Sequence, residues 1–222
     1  MKFKQSIKTI IILLVYLAIS PASSAEPNAF DYDHVVSAMF WNGLYSSGGW
    51  TLYCGFHFKV TRKTDDGKVI EIEHIYPTEW MVAYLKCKNR LQCHEKNKKF
   101  DRMESDLHNM YPVSESLVIY RNNLPYGVID GEDWRFDDCD FEWNAHTVEP
   151  RPIARGNIAR AIFYMHTTYG LPVDAGMLKI LKTWNREDPP SKQEKERNDM
   201  IGKLQGQRNR YIDKPLLADK IR

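Results

Sequence analysis

Glu73 and His74, neighbours in the stretch Val69-Ile70-Glu71-Ile72-Glu73-His74-Ile75-Tyr76-Pro77, are the side chains whose types best suit chemistry. A carboxylate can hold a hard divalent cation through oxygen. An imidazole titrating near neutrality can take a proton from water. Ile70 and Ile72 alternate with Glu71 and Glu73, the period of a half-buried strand. Adjacent side chains on a strand point to opposite faces, so the pair can serve one site only if one reaches round the strand end or the strand breaks there. The other reading is an exposed polar strand face with an incidental histidine.

Three further segments carry chemistry-bearing residues. Asp106, His108 and Asn109 crowd four positions, either as metal or proton ligands or as capping side chains that bond backbone amides. Between residues 86 and 102, Lys86, Lys88, Arg90, Lys96, Lys98, Lys99 and Arg102 outweigh Glu95 and Asp101. Such a cluster neutralises phosphates of a nucleic-acid backbone, or is a solvated loop. Cys54, Cys87, Cys93 and Cys139 make an even set, which in an exported chain points to disulfides. Cys87 and Cys93 are close enough to close a small loop, leaving Cys54 and Cys139 to pair, but four cysteines allow three connectivities. A zinc site from Cys87, Cys93 and His94 is the rival, against common zinc spacings.

The elements that must position these groups begin after a leader. Lys2, Lys4 and Lys8, the apolar run Ile10 to Ala18 and small residues at Ser23-Ser24-Ala25 form the pattern of a secretory signal peptide over residues 1–25. Without its three lysines the chain holds 28 basic against 29 acidic side chains, a net of −1. Global basicity is therefore no argument for a polyanionic partner. Residues 26–222 fit one domain with a sizeable core. The pattern predicts a helix over Asp31 to Leu44, a strand over Tyr53 to Arg62, a hairpin turn at Thr64-Asp65-Asp66-Gly67, and the strand bearing Glu73 and His74. A long basic loop from Cys87 to Phe100 follows, then helices over Ala154 to Tyr169, Met177 to Trp184 and finally Arg197 to Gln205, with Gly206 as its C-cap. Arg186 to Arg197 reads as a surface loop. The mixture is α+β, a small antiparallel sheet surrounded by helices.

Four blocks, in order, resemble the endonuclease I family. They are Glu73-His74-x-x-Pro77, Asp106-Leu107-His108-Asn109-Met110-x-Pro112, the run Arg155-Gly156-Asn157-Ile158-Ala159-Arg160-Ala161-x-x-Tyr164-Met165, and the tail Lys203 to Asn209. Tyr53-Cys54-Gly55 also resembles that family's entry strand, so the likeness runs from about Tyr53 to Ile212. The resemblance implies an exported, sequence-nonspecific endonuclease with a ββα-metal (His-Me finger) core, periplasmic or secreted, monomeric, acting on DNA and often RNA. It implies that His74 is the general base and that Glu73 binds Mg²⁺ or another divalent cation. It also implies that Arg90 contacts the phosphate, that Glu104 stands near the metal outside direct coordination, and that cleavage leaves 5′-phosphate ends. Lys96, Lys98 and Lys99 are the expected backbone-binding lysines.

One departure stands out. The family commonly carries an asparagine metal ligand in E-V-N-G-x-R, and here Ser116-Leu117-Val118-Ile119-Tyr120-Arg121 places Val118 where the amide belongs. Asn122 or Asn123 reaches the site after a small register shift, with Asn123 as the candidate ligand, or water completes the shell. The other outcome is a catalytically impaired nucleic-acid-binding protein that keeps the fold.

Overall fold

The computed structural model describes residues 31–131, 136 and 138–222. The expected signal peptide lies outside them. The described residues start with a helical turn α1 (Tyr32–His34), capped by Asp31 and running directly into a π-helix (Val35–Leu44), so the predicted first helix is present in wider form. Of the predicted strand from Tyr53 to Arg62 the part that forms is β2 (His57–Phe58), paired antiparallel with β1 (Gly49–Trp50). Between them the chain turns sharply, with Gly55 at φ 69° under the Arg151 guanidinium. A Cβ on Gly55 would lie 2.2 Å from Arg151 Nη1.

The central ribbon is β3 (Ile70–His74) paired antiparallel with a later strand. Between its two strands lie α2 (Thr78–Tyr84), α3 (Arg90–Lys96) and α4 (Lys98–Glu104). The basic stretch is thus two short helices, not the predicted loop. Asn89 accepts from Gln92 N and Asn97 from Lys99 N, and each asparagine caps a helix start that charge alone did not reveal. The partner strand β4 (Met110–Ser114) sets Ile70 opposite Ser114 and His74 opposite Met110, and α5 (Glu115–Arg121) follows without a break.

A third ribbon joins β5 (Phe141–Trp143) to β6 (Val148–Pro150). The sheet structure among the described residues is therefore three two-stranded antiparallel ribbons, where one small sheet was expected. Three longer helices complete the fold: α6 (Pro152–Tyr169), α7 (Ala175–Glu187) and α8 (Lys192–Gln205). Ile158, Ala161, Ile162 and Met165 of α6 are all buried, as their spacing predicts. α8 starts earlier than its apolar pattern suggested because Ser191 caps it by accepting from Glu194 N. It ends at Gly206, φ 78°, but it is not the last helix. α9 (Arg210–Asp213) and a 3₁₀ turn (Pro215–Lys220) come after it.

Two apolar clusters flank β3. Ile70 belongs to one with Phe40, Trp41, Phe58, Leu107 and Met110. Ile75 belongs to the larger one built around α6 and α7. The ribbon is held from both sides, and its end at His74 is a fixed point.

Candidate functional site

The alternation read from the sequence survives in three dimensions, and Glu73 and His74 face different surroundings. Glu73 is buried beside Tyr53, Tyr126 and Arg121. Its Oε1 lies 3.5 Å from Tyr53 Oη and 3.6 Å from Arg121 Nε. Tyr53 and Tyr126 share a 2.7 Å hydroxyl contact. Arg121 sits over the Tyr126 ring at 4.4 Å, with Nε and Nη1 lacking hydrogen-bond partners. That guanidinium is near enough to attract the carboxylate but too far for a hydrogen bond. Burial therefore dominates and pushes the Glu73 carboxyl up to about 7, with Arg121 opposing.

His74 closes β3 and is half-buried. Its Nε2 lies 2.8 Å from the Glu104 carbonyl oxygen. A carbonyl only accepts, so Nε2 carries the hydrogen and Nδ1 presents the lone pair that can take a proton. Burial holds the imidazole below its ordinary pKa, partly offset by that carbonyl. A depressed value keeps the base unprotonated at neutral pH.

Glu104, at the end of α4, gathers the rest of this side. It is fully buried, and its Oε1 accepts from Arg90 Nε at 2.6 Å. Its Oε2 lies 2.9 Å from His94 Nε2, an ion-pair distance without hydrogen-bond alignment. His94 Nδ1 in turn is 2.7 Å from Asp101 Oδ1. One residue thus orients the imidazole through its backbone and the arginine through its side chain. Arg90 is the first residue of α3, midway between Cys87 and Cys93, which form a disulfide. Cys54 and Cys139 form the other. The connectivity is now fixed and the zinc reading of Cys87 and Cys93 is overturned, because both sulfurs are spent on each other.

Lys96 ends α3, and Lys98 and Lys99 open α4, all three exposed. Lys99 Nζ lies 5.0 Å from the centre of the Tyr84 ring. Asp106, His108 and Asn109 are buried in structural bonds. Asp106 accepts from Tyr164, Tyr169, Gln205 and the His108 amide. His108 is pushed down to about 4 by burial, with Nε2 at the Gln207 carbonyl. Asn109 brackets the turn after β3 by bonding both Tyr76 N and O. The Arg155–Met165 block is scaffold too: Arg160 is buried with Glu194 at 2.7 and 2.5 Å.

Val118 lies on α5 and packs partly buried against the main core. Asn122 and Asn123 follow the helix end in left-handed conformations, φ 34° and 59°. No cluster of three or more His, Cys, Asp or Glu able to hold a metal is found among the described residues. A magnesium-like ion asks less, since it keeps several waters and takes one or two carboxylates plus substrate phosphate. Both contacts of Glu73 fall on Oε1, so Oε2 takes part in neither. The donor set fits a water-rich divalent ion held by one carboxylate, not a closed protein cage. Tyr32 was missed from the sequence, where an isolated tyrosine carries no motif; His94 was read there only as a rival zinc ligand and Arg121 only as the end of the E-V-N-G-x-R match.

The family described as Endonuclease I matches residues 23–216. An extracellular deoxyribonuclease of Aeromonas hydrophila is 32% identical over 195 residues, covering 78% of this chain and 84% of that one. A periplasmic deoxyribonuclease of the same organism is 32% identical over 193 residues, 77% and 81% of the two chains. An extracellular ribonuclease of Bacillus amyloliquefaciens is 28% identical over 147 residues, 53% of this chain and 46% of that one.

Proposed function

Because the chain belongs to the endonuclease I family, we propose that it is an exported, metal-dependent, sequence-nonspecific endonuclease acting on DNA and on RNA. The paired strands β3 and β4, with α2 to α4 between them in the chain, and the helix α5 that follows β4 form the proposed ββα-metal core, with the domain spanning residues 26–222. The observation that carries the mechanism is the 2.8 Å contact of His74 Nε2 with the Glu104 carbonyl, which leaves Nδ1 as the base. His74 takes the proton from the attacking water, and Arg90, steadied by Glu104, pairs with the scissile phosphate through its forked guanidinium. Glu73 would hold the cation, which when bound would supply charge stabilisation at the phosphate and the leaving 3′ oxygen. Asn123 is the candidate second ligand, with Asn122 or water as the alternatives. Lys96, Lys98 and Lys99 contact the backbone of the nucleic acid, and cleavage leaves 5′-phosphate ends.

Val118 favours a second reading, a nucleic-acid-binding protein of this fold that no longer cuts. Plasmid cleavage with Mg²⁺, with EDTA, and with Mg²⁺ restored separates the two. Loss in EDTA and recovery with Mg²⁺ support the nuclease; retarded plasmid mobility without nicking supports the binder.

A further inference from the structure

One partly buried tyrosine touches both groups that the proposed reaction needs. Tyr32 opens α1, where Asp31 Oδ1 accepts from His34 N at 2.9 Å and fixes the turn. The Tyr32 ring stacks on the His74 imidazole, centroids 5.9 Å apart and planes 29° from parallel. The Arg90 guanidinium carbon lies 5.1 Å from the centre of the same ring. Each of these two groups is otherwise held at one atom, His74 by the Glu104 carbonyl and Arg90 by the Glu104 carboxylate. A planar group pinned at one atom can still tilt, and a ring packed on its face removes that freedom. The freedom matters for Arg90 because its side chain is 54% exposed. It also borders a hollow of about 490 Å³ lined by Asp31, Tyr32, Asp33, Leu91 and His94.

We propose that Tyr32 is a positioning residue, its ring setting the tilt of the His74 imidazole and the place of the Arg90 guanidinium relative to one another. The proposal rests on reading His74 as base and Arg90 as phosphate contact. The ring does the work, not an ionised phenolate, because burial pushes the Tyr32 hydroxyl up to about 12 and keeps it neutral.

The test is steady-state cleavage of a fluorescent duplex oligonucleotide by Tyr32→Ala, Tyr32→Phe and, as reference, His74→Ala, each checked for native circular dichroism. Tyr32→Ala is expected to lower kcat by roughly ten- to a hundredfold with KM changed by less than about threefold, since misplacement of reacting groups acts on turnover. Tyr32→Phe is expected to restore kcat to within about twofold, because it keeps the ring. Should Tyr32→Ala unfold, Tyr32→Leu replaces it, with the same loss of kcat expected. Wild-type or faster turnover in the Ala or Leu variant overturns the proposal, the faster case marking the ring as an obstruction. A loss of kcat in Tyr32→Phe equal to that in Tyr32→Ala also overturns it, by assigning the effect to the hydroxyl. Full activity in His74→Ala instead sinks the underlying reading of the site, which keeps the two failures apart.

Discussion

The two disulfides should separate stability from activity when each is removed. Cys87 and Cys93 are 6 residues apart and Cys54 and Cys139 are 85 apart. Cross-linking restricts the unfolded chain more for a longer loop, so the chain-entropy relation gives about 2 kcal/mol for the small ring and about 4–5 kcal/mol for the large one. The small ring, however, carries Arg90, three residues from each of its cysteines. Without it the start of α3 is held by the Asn89 cap, the Lys88 N to Gln92 Oε1 hydrogen bond and the contacts of Arg90 with Glu104 and Tyr32. Paired Cys87→Ser and Cys93→Ser replacement should therefore cost about 2 kcal/mol in urea unfolding, yet slow plasmid nicking about tenfold through a misplaced arginine. Paired Cys54→Ser and Cys139→Ser replacement should cost the larger stability loss and leave nicking in native buffer within about twofold. The reasoning is refuted if the small-ring variant nicks at the wild-type rate, or if the activity losses of the two variants follow their stability losses.

Two more perturbations probe the charged groups. Glu73 has its folded pKa raised to about 7, so its contribution is favourable below its ordinary value near 4.5 and is lost as pH rises through about 7. In EDTA, Glu73→Gln should thus be more stable than wild type by up to about 3 kcal/mol at pH 8 and nearly equal to it at pH 4, while activity in Mg²⁺ disappears; denaturation at both pH values checks this, and a pH-independent difference would contradict it. Changing Lys96, Lys98 and Lys99 together to Ala should flatten the dependence of log affinity for duplex DNA on log salt by up to about 3, one contact each; an unchanged slope assigns the three lysines to solvation.

How much of this was legible in the sequence depended on whether a residue's partner was local. The strand β3, the helix α6 and the Gly206 cap follow from alternation, periodicity and a left-handed terminus, all readable within a few residues. The Cys87–Phe100 helices were missed because a charged surface hides periodicity, although Asn89 and Asn97 stood at the caps. The strand expected from Tyr53 is reduced to His57–Phe58, with Gly55 turning the chain at φ 69° against the distant Arg151 side chain. Asp106, His108 and Asn109 have ligand chemistry, and only their distant partners, from Tyr76 to Gln207, mark them as scaffold. At the candidate site, the block order singled out Glu73, His74, Arg90 and Glu104. Tyr32 enters it through a contact across 42 residues, which no local pattern encodes, and Arg121, quoted only as the end of a motif match, reaches Glu73 across 48.

The central claim is that His74 is the base, and single-turnover cleavage of plasmid DNA by His74→Ala in Mg²⁺ tests it most directly. With the native circular dichroism retained, the rate should fall by at least about a hundredfold, the usual contribution of a positioned general base. A rate within a few-fold of wild type would contradict it.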